Sequence, residues 1–120
     1  MSDDQLTYEV IGAAMKVHNE LGPGLREKPY ENALFIELRK QGHSVEQQRP
    51  YPIKYQGHIV GDCIPDLAIP GQLIIEGKAI DSLGENESAQ VLNYLRISKI
   101  KLGVILNFKP HKLEVKRLAR

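Results

Sequence analysis

The chain has no tryptophan, a single cysteine and only 6% aromatic residues across its 120 positions. With Cys63 alone, no intramolecular disulfide can form, and a zinc site would have to rest on histidines and acids. The four histidines, His18, His43, His58 and His111, fall on different expected elements without ligand spacing, so they read as structural or surface residues. Cys63 lacks an identified base partner and reads as an inert buried thiol. No apolar run approaches the length of a membrane span, and Met1-Ser2-Asp3-Asp4 lacks the basic and apolar regions of a signal peptide. A cytoplasmic location is expected on those grounds. A phosphate-cradling loop is also missing, because Gly22-Pro23-Gly24 has neither the glycine spacing nor the lysine of a P-loop. Repeats, low-complexity tracts and linkers are absent too, so residues 1–120 are expected to form one domain, with residues 1–6 flexible.

What is present is ordinary globular usage, 42% hydrophobic and 26% charged, with an uneven distribution of charge. The net charge is +1, yet residues 96–120 carry eight Lys and Arg against Glu114 alone, which leaves the rest of the chain acidic. A basic end beside an acidic cluster suits a site that holds a cation and attracts a polyanion. Charge by itself favours a plainer reading, surface lysines on a solvated terminal hairpin.

The apolar spacing predicts a first helix capped by Thr7 and stopped at Gly22-Pro23-Gly24, then a second helix from near Pro29 to Gly42 with Glu27 at its entrance. From Ser44 the pattern turns to strands: Val45–Tyr55, His58–Ile69 and Gln72–Ile80, read as an antiparallel meander. Pro50 and Pro52 remove backbone donors, so the first of these should lie at an edge or carry an irregularity. Ser82-x-x-Glu85 matches a capping box for a third helix reaching about Ser98, and Lys101–Phe108 and Lys112–Leu118 read as final strands. The order is ααβββαββ.

The chemistry is concentrated in Pro65-Asp66 and Glu76-Gly77-Lys78, on consecutive strands. Alternation puts Glu76 and Lys78 on one face. Asp66 stands directly opposite Glu76 only if paired positions sum to 142, which requires a three-residue loop at 70–72 or an equivalent bulge. A two-residue hairpin at Pro70-Gly71 would turn Asp66 to the wrong face. Converged, Asp66 and Glu76 are hard oxygen ligands for Mg²⁺ or Mn²⁺, the Gly77 carbonyl can add another, and Lys78 can orient the attacking water and offset phosphate charge. A weak cross-strand salt bridge between surface residues is the plain alternative. It is countered by the apolar frame of Ile64, Leu67, Ile69, Leu73, Ile74 and Ile75, which would bury the acids.

Gly24-x-x-Glu27-x-x-Tyr30 resembles the signature of the GxxExxY protein family, a small branch of the PD-(D/E)XK nuclease-like superfamily. The stretches Leu21–Leu25, Glu27–Leu34, Asn93–Arg96 and Leu106–Lys109 look like that family too, and the resemblance runs from about Leu6 to Leu118. Gln90-x-x-x-Tyr94, one turn apart on one helix face, resembles the motif of RecB-like members. The resemblance implies an α/β, restriction-endonuclease-like core, a mixed sheet flanked by helices, with Glu27 joining Asp66 and Glu76 as a metal ligand and Gln90 holding a water or phosphate. Without it, Glu27 is a carboxylate at a helix entrance, Tyr30 a core aromatic, Gln90 an exposed helix residue and Tyr94 a core aromatic.

The expected function is therefore metal-dependent phosphodiester hydrolysis in nucleic acid, DNA ranked before RNA, by a monomer or homodimer. Tyr94, Arg96, Lys99, Lys101, Lys109 and Lys112 are the expected nucleic-acid contacts. The rival is a silent nucleic-acid-binding or protein-interaction module on the same fold. Gly77 is a feature on the rival's side, since backbone freedom there would loosen Glu76 and Lys78.

Overall fold

A computed structural model describes residues 1–120. The elements are α1 (Asp3–Leu21), α2 (Glu27–Lys40), β1 (Glu46–Gln47), β2 (Tyr51–Tyr55), β3 (His58–Cys63), β4 (Leu67–Ile69), β5 (Leu73–Lys78), α3 (Glu85–Ser98), β6 (Leu102–Asn107) and β7 (Glu114–Ala119). Five strands form a mixed sheet in the order β1-β4-β5-β6-β7, and β2 and β3 pair as a separate hairpin. Only β5 and β6 run parallel, and α3 supplies the crossover that a parallel pair requires.

Strand alternation sorts the core into two layers. Leu73, Ile75, Val104 and Leu106 face α1 and α2, where they pack with Val10, Ala14, Tyr30 and Leu34. Ile74 and Ile105 face the other way and pack with Val91 and Leu95 of α3 and with Tyr51 and Cys63 of the hairpin. Both central strands are thus apolar on both sides, as a doubly covered sheet demands. Close docking of α3 depends on Gly103: a Cβ there would stand 2.8 Å from Val91 Cγ1 and 3.3 Å from Leu95 Cδ2.

Several local expectations shift. Ser2, not Thr7, caps α1, its hydroxyl accepting from Gln5 N at 3.2 Å, and Asp3–Leu6 form the first helical turn with Leu6 buried. Asp3 and Asp4 favour that turn by facing the helix dipole. The third helix begins at Glu85 rather than near Ser82, with Gly84 at its N-cap and the Glu87 carboxylate accepting from Gly84 N at 2.6 Å. The largest difference is in the meander. Gln48 takes a left-handed φ of 55° and Pro50 follows, so the chain leaves the main sheet after β1 and opens the hairpin as β2. It returns through Ile64-Pro65 into β4. The anticipated irregularity at the prolines is therefore a change of sheet, which makes five strands before α3 instead of three.

Candidate functional site

The β4–β5 connection sets the geometry. Leu67 pairs with Ile75, Ala68 with Ile74 and Ile69 with Leu73, so every pair sums to 142 and the loop is Pro70-Gly71-Gln72. Gly71 takes a φ of 74°, where a side chain would be strained, and Gln72 N donates to Ile69 O at 2.9 Å. The next step outward brings Asp66 against Glu76. Asp66 N donates to Glu76 Oε1 at 2.6 Å, and Gly77 N donates to Asp66 Oδ2 at 2.9 Å. Each carboxylate is thus fixed by one oxygen through its neighbour's backbone and keeps a second oxygen.

Burial decides the electrostatics. Glu76 is 3% exposed, and desolvation, followed by the adjacent Asp66 charge, raises its pKa to about 8. Asp66 rises to about 6, mainly by desolvation against the opposing Gly77 N–H, with Glu31 adding to the rise. A buried and a half-buried acid that resist ionising together favour any cation that relieves them. Lys78 provides part of that relief, its Nζ 3.9 Å from Glu76 Oε2 and 2.8 Å from Gln90 Oε1, to which it donates. Gln90 Nε2 in turn donates to the Tyr94 hydroxyl at 3.1 Å. Burial, then the charges of Glu76, Cys63 and Asp66, push Tyr94 up to about 12, so it remains a neutral phenol. Glu76, Lys78, Gln90 and Tyr94 therefore form one chain of contacts from β5 onto α3.

Glu27 approaches from the opposite layer. It is the first residue of α2, and its Oε2 accepts from Ala79 N, just past Lys78, at 3.2 Å. Tyr30 explains how it is aimed. Fully buried and stacked on Phe108 with ring centroids 4.5 Å apart, Tyr30 donates its hydroxyl to Gly22 O and accepts from Leu25 N at 3.2 Å. It thereby clamps the loop in which Gly24 takes a φ of 107°, and that loop delivers Glu27 to the end of β5. Tyr30 is a core residue, and its link to the site is through that loop.

Sequence reasoning missed Glu31. One turn after Glu27, it is 5% exposed and accepts from Gln47 at 2.7 Å, Gln48 at 2.9 Å and Lys28 at 3.0 Å. Burial works against its charge, but hydrogen bonds from Gln48, Gln47 and Lys28 outweigh it and hold the carboxyl below the ordinary range. A charged Glu31 is what raises both site acids further. The available signal was its i,i+4 relation to Glu27. Asn107, which the sequence offers only within the Leu106–Lys109 stretch, is fully buried and staples the segment after β5. Its Oδ1 accepts from Ile80 N at 3.0 Å, and its Nδ2 donates to Ile80 O at 2.9 Å.

The hard oxygens of Asp66, Glu76 and Glu27 suit a hard divalent cation. No three His, Cys, Asp or Glu side chains converge on one cation position. The donor set fits Mg²⁺ nonetheless, since that ion usually takes one or two carboxylates and keeps several waters. The expected nucleic-acid contacts do not gather in one place. Lys109 pairs with Asp81 at 2.6 Å and lines a cleft of about 400 Å³ with Gly24, Arg26, Glu27 and Ala79. Lys112 lines a separate cavity beside Met15, His18 and His111, and Lys101 is exposed beyond α3. Arg96 and Lys99 lie at the C-terminal end of α3, away from Gln90.

Comparison with known proteins adds three findings. Residues 4–118 match the family profile described as the PD-(D/E)XK nuclease superfamily. The solved crystal structure of SSO0001 resembles this chain with a TM-score of 0.60 at 18% sequence identity, over 75% of this chain and 48% of that one. The resemblance to SSO0001 is one of fold, and it spans about half of that protein's length. No curated protein matches the chain.

Proposed function

Because the chain belongs to the PD-(D/E)XK nuclease superfamily, we propose that it is a divalent-metal-dependent nuclease of the GxxExxY branch, hydrolysing phosphodiester bonds in nucleic acid, DNA before RNA. The observation that carries the reading is the 142 register, which sets Asp66 against Glu76 while Lys78 is tied to Gln90. Asp66 and Glu76 would hold Mg²⁺ or Mn²⁺, with Glu27 and the Gly77 carbonyl completing the set. When bound, the ion offsets charge on the scissile phosphate and acidifies a water.

The chain's own residues do the rest. Lys78 presents an ammonium group beside the acids, where it meets a phosphate oxygen and the charge that develops on it. Gln90 fixes that ammonium through its carbonyl, and Tyr94 fixes Gln90, so the lysine is held before substrate arrives. Asp66 N and Gly77 N hold the two carboxylates in facing rotamers. The reading includes a single cytoplasmic domain, acting as a monomer or homodimer. No helix is long and apolar enough to cross a membrane.

A second reading has an observation in its favour. Glu27 is already engaged by Ala79 N–H and no three acids converge, as in a module that binds nucleic acid without turnover. The deciding experiment incubates wild type, Asp66→Ala and Lys78→Ala with single-stranded, duplex and branched DNA and with RNA in Mg²⁺ or Mn²⁺. Cleavage by wild type alone supports the nuclease; none by wild type, or equal cleavage by all three, removes it.

A further inference from the structure

The largest cavity in the molecule lies outside the acid site. About 640 Å³ in volume, it runs between β2 and the C-terminal end of α3, and its walls carry Arg49, Lys54, Arg96 and Lys99 with no acid among them. We propose that this groove is a subsite for the phosphodiester backbone of nucleic acid, holding the strand a few nucleotides from the bond at Asp66 and Glu76. The proposal rests on the nuclease-superfamily reading for its choice of polyanion and adds the path the strand takes.

Four observations carry it. First, the cations are available. Lys54 and Lys99 enter no ion pair, Arg96 donates only to Asn93 Oδ1, and Arg49 has one exposed partner, Glu46, at 3.3 Å, a pair that a multivalent anion displaces easily. Second, Lys99 sits at the end of α3 with a φ of 63°, a left-handed position that helices usually give to glycine or asparagine. A lysine held there at a conformational cost marks its ammonium as useful at that place. Third, the Tyr51 hydroxyl in the groove wall is buried without a hydrogen-bond partner, and the Arg49 guanidinium lies 5.1 Å over its ring. Fourth, α3 joins the two places. Gln90, on Lys78, precedes Arg96 and Lys99 by about 9 and 14 Å of helix, a span of a few nucleotides along a strand. A row of cations spread over two elements suits an extended backbone better than a single phosphate group.

The test measures binding of fluorescein-labelled 20-nucleotide single strands and duplexes, DNA and RNA, by anisotropy in EDTA over a salt series. It uses wild type, Lys54→Ala/Arg96→Ala, Lys99→Gly, and Arg39→Ala/Lys40→Ala as an equal charge change on α2. The same proteins are assayed with Mn²⁺ on bis(4-nitrophenyl) phosphate, too small to reach the groove. The groove double variant should bind about tenfold or more weakly, with a salt slope shallower by roughly 0.7–0.9 for each lost contact. Lys99→Gly should bind more weakly while melting at a higher temperature, a combination that misfolding cannot produce. Equal losses in the α2 variant, or no binding by wild type, overturn the subsite. Groove-dependent binding by a wild type that hydrolyses neither this diester nor nucleic acid leaves the subsite standing and removes the nuclease; hydrolysis with groove-independent binding does the reverse.

Discussion

Replacing Glu76 with glutamine should make the metal-free protein more stable at pH 8 and should flatten its pH dependence. Glu76 is 3% exposed, and its pKa is raised from the ordinary 4.5 to about 8 by desolvation and the neighbouring Asp66. Between those values the folded chain binds a proton that the unfolded chain has released. Stability therefore falls as pH rises through the window, by about 1.4 kcal/mol per pH unit for one proton. From pH 6 to pH 8 the loss attributable to Glu76 is roughly 2 kcal/mol, a large share of a small domain's stability. Asp66, raised to about 6, adds a parallel loss at lower pH and has finished most of it by pH 7. The assay is urea unfolding in EDTA at half-unit steps from pH 5 to 8.5, for wild type and Glu76→Gln. Taking the difference between the two curves cancels the histidines and the other groups that do not interact with Glu76; Asp66, which does, remains part of the difference. That difference should grow with pH and level off above pH 8. Adding Mn²⁺ should reverse the wild-type trend, because a cation binds the ionised acids, and should leave Glu76→Gln nearly unmoved. Parallel curves for the two proteins, or wild-type stability that is flat from pH 6 to 8 in EDTA, would show that Glu76 is not held protonated and would refute the reasoning.

Gly103→Ala should lower stability by about 1–3 kcal/mol, because its Cβ would meet Val91 Cγ1 at 2.8 Å and force α3 off the sheet; thermal unfolding reads the loss, and an unchanged Tm contradicts it. Gly77→Ala, by contrast, should cost less than about 1 kcal/mol, since a Cβ there meets Asp66 Oδ2 and Phe108 Cε2 only at ordinary contact distances of 3.7 and 3.8 Å. Cleavage should survive it, and a dead but folded Gly77→Ala would argue that the backbone at 77 must flex. Tyr30→Phe removes the hydroxyl that binds Gly22 O and Leu25 N, costing about 1–3 kcal/mol. Because the freed loop no longer fixes Glu27, its Mn²⁺-induced rise in Tm should shrink as well. An undiminished rise would separate Tyr30 from the site.

The facing of Asp66 and Glu76 was legible because strand alternation and pair sums are rigid arithmetic: one loop length at 70–72 satisfies them, and the chain adopts it. The concern over Gly77 dissolved for a local reason. Its N–H is held by Asp66 and it pairs with Leu106 of β6, which limits its backbone freedom. The hairpin was harder to see. Nothing in the apolar pattern of Val45–Ile69 separates a continuous meander from a strand that changes sheet, and the decision falls to the left-handed turn at Gln48. Glu31 escaped notice because its burial depends on Gln47 and Gln48, brought against α2 only by the β1–β4 pairing. The scatter of Lys101, Lys109 and Lys112 has the same origin: proximity in sequence located the positive charge but not the surface on which it would lie.

Asp66 is also the place where two mechanical units meet. The hairpin leaves the main sheet just after Gln48 and rejoins it through buried Pro65, and Gln48 N donates to Asp66 O at 2.9 Å. Both ends of the hairpin are thus tied within two residues of Asp66. The hairpin, whose outer side chains Ile59 and Val60 are 69% and 62% exposed, is braced only at its base, where Tyr51 and Cys63 pack on Ile74 and Ile105 of the sheet and on α3. Movement of the hairpin against the sheet would therefore bear on Asp66 through both of those links.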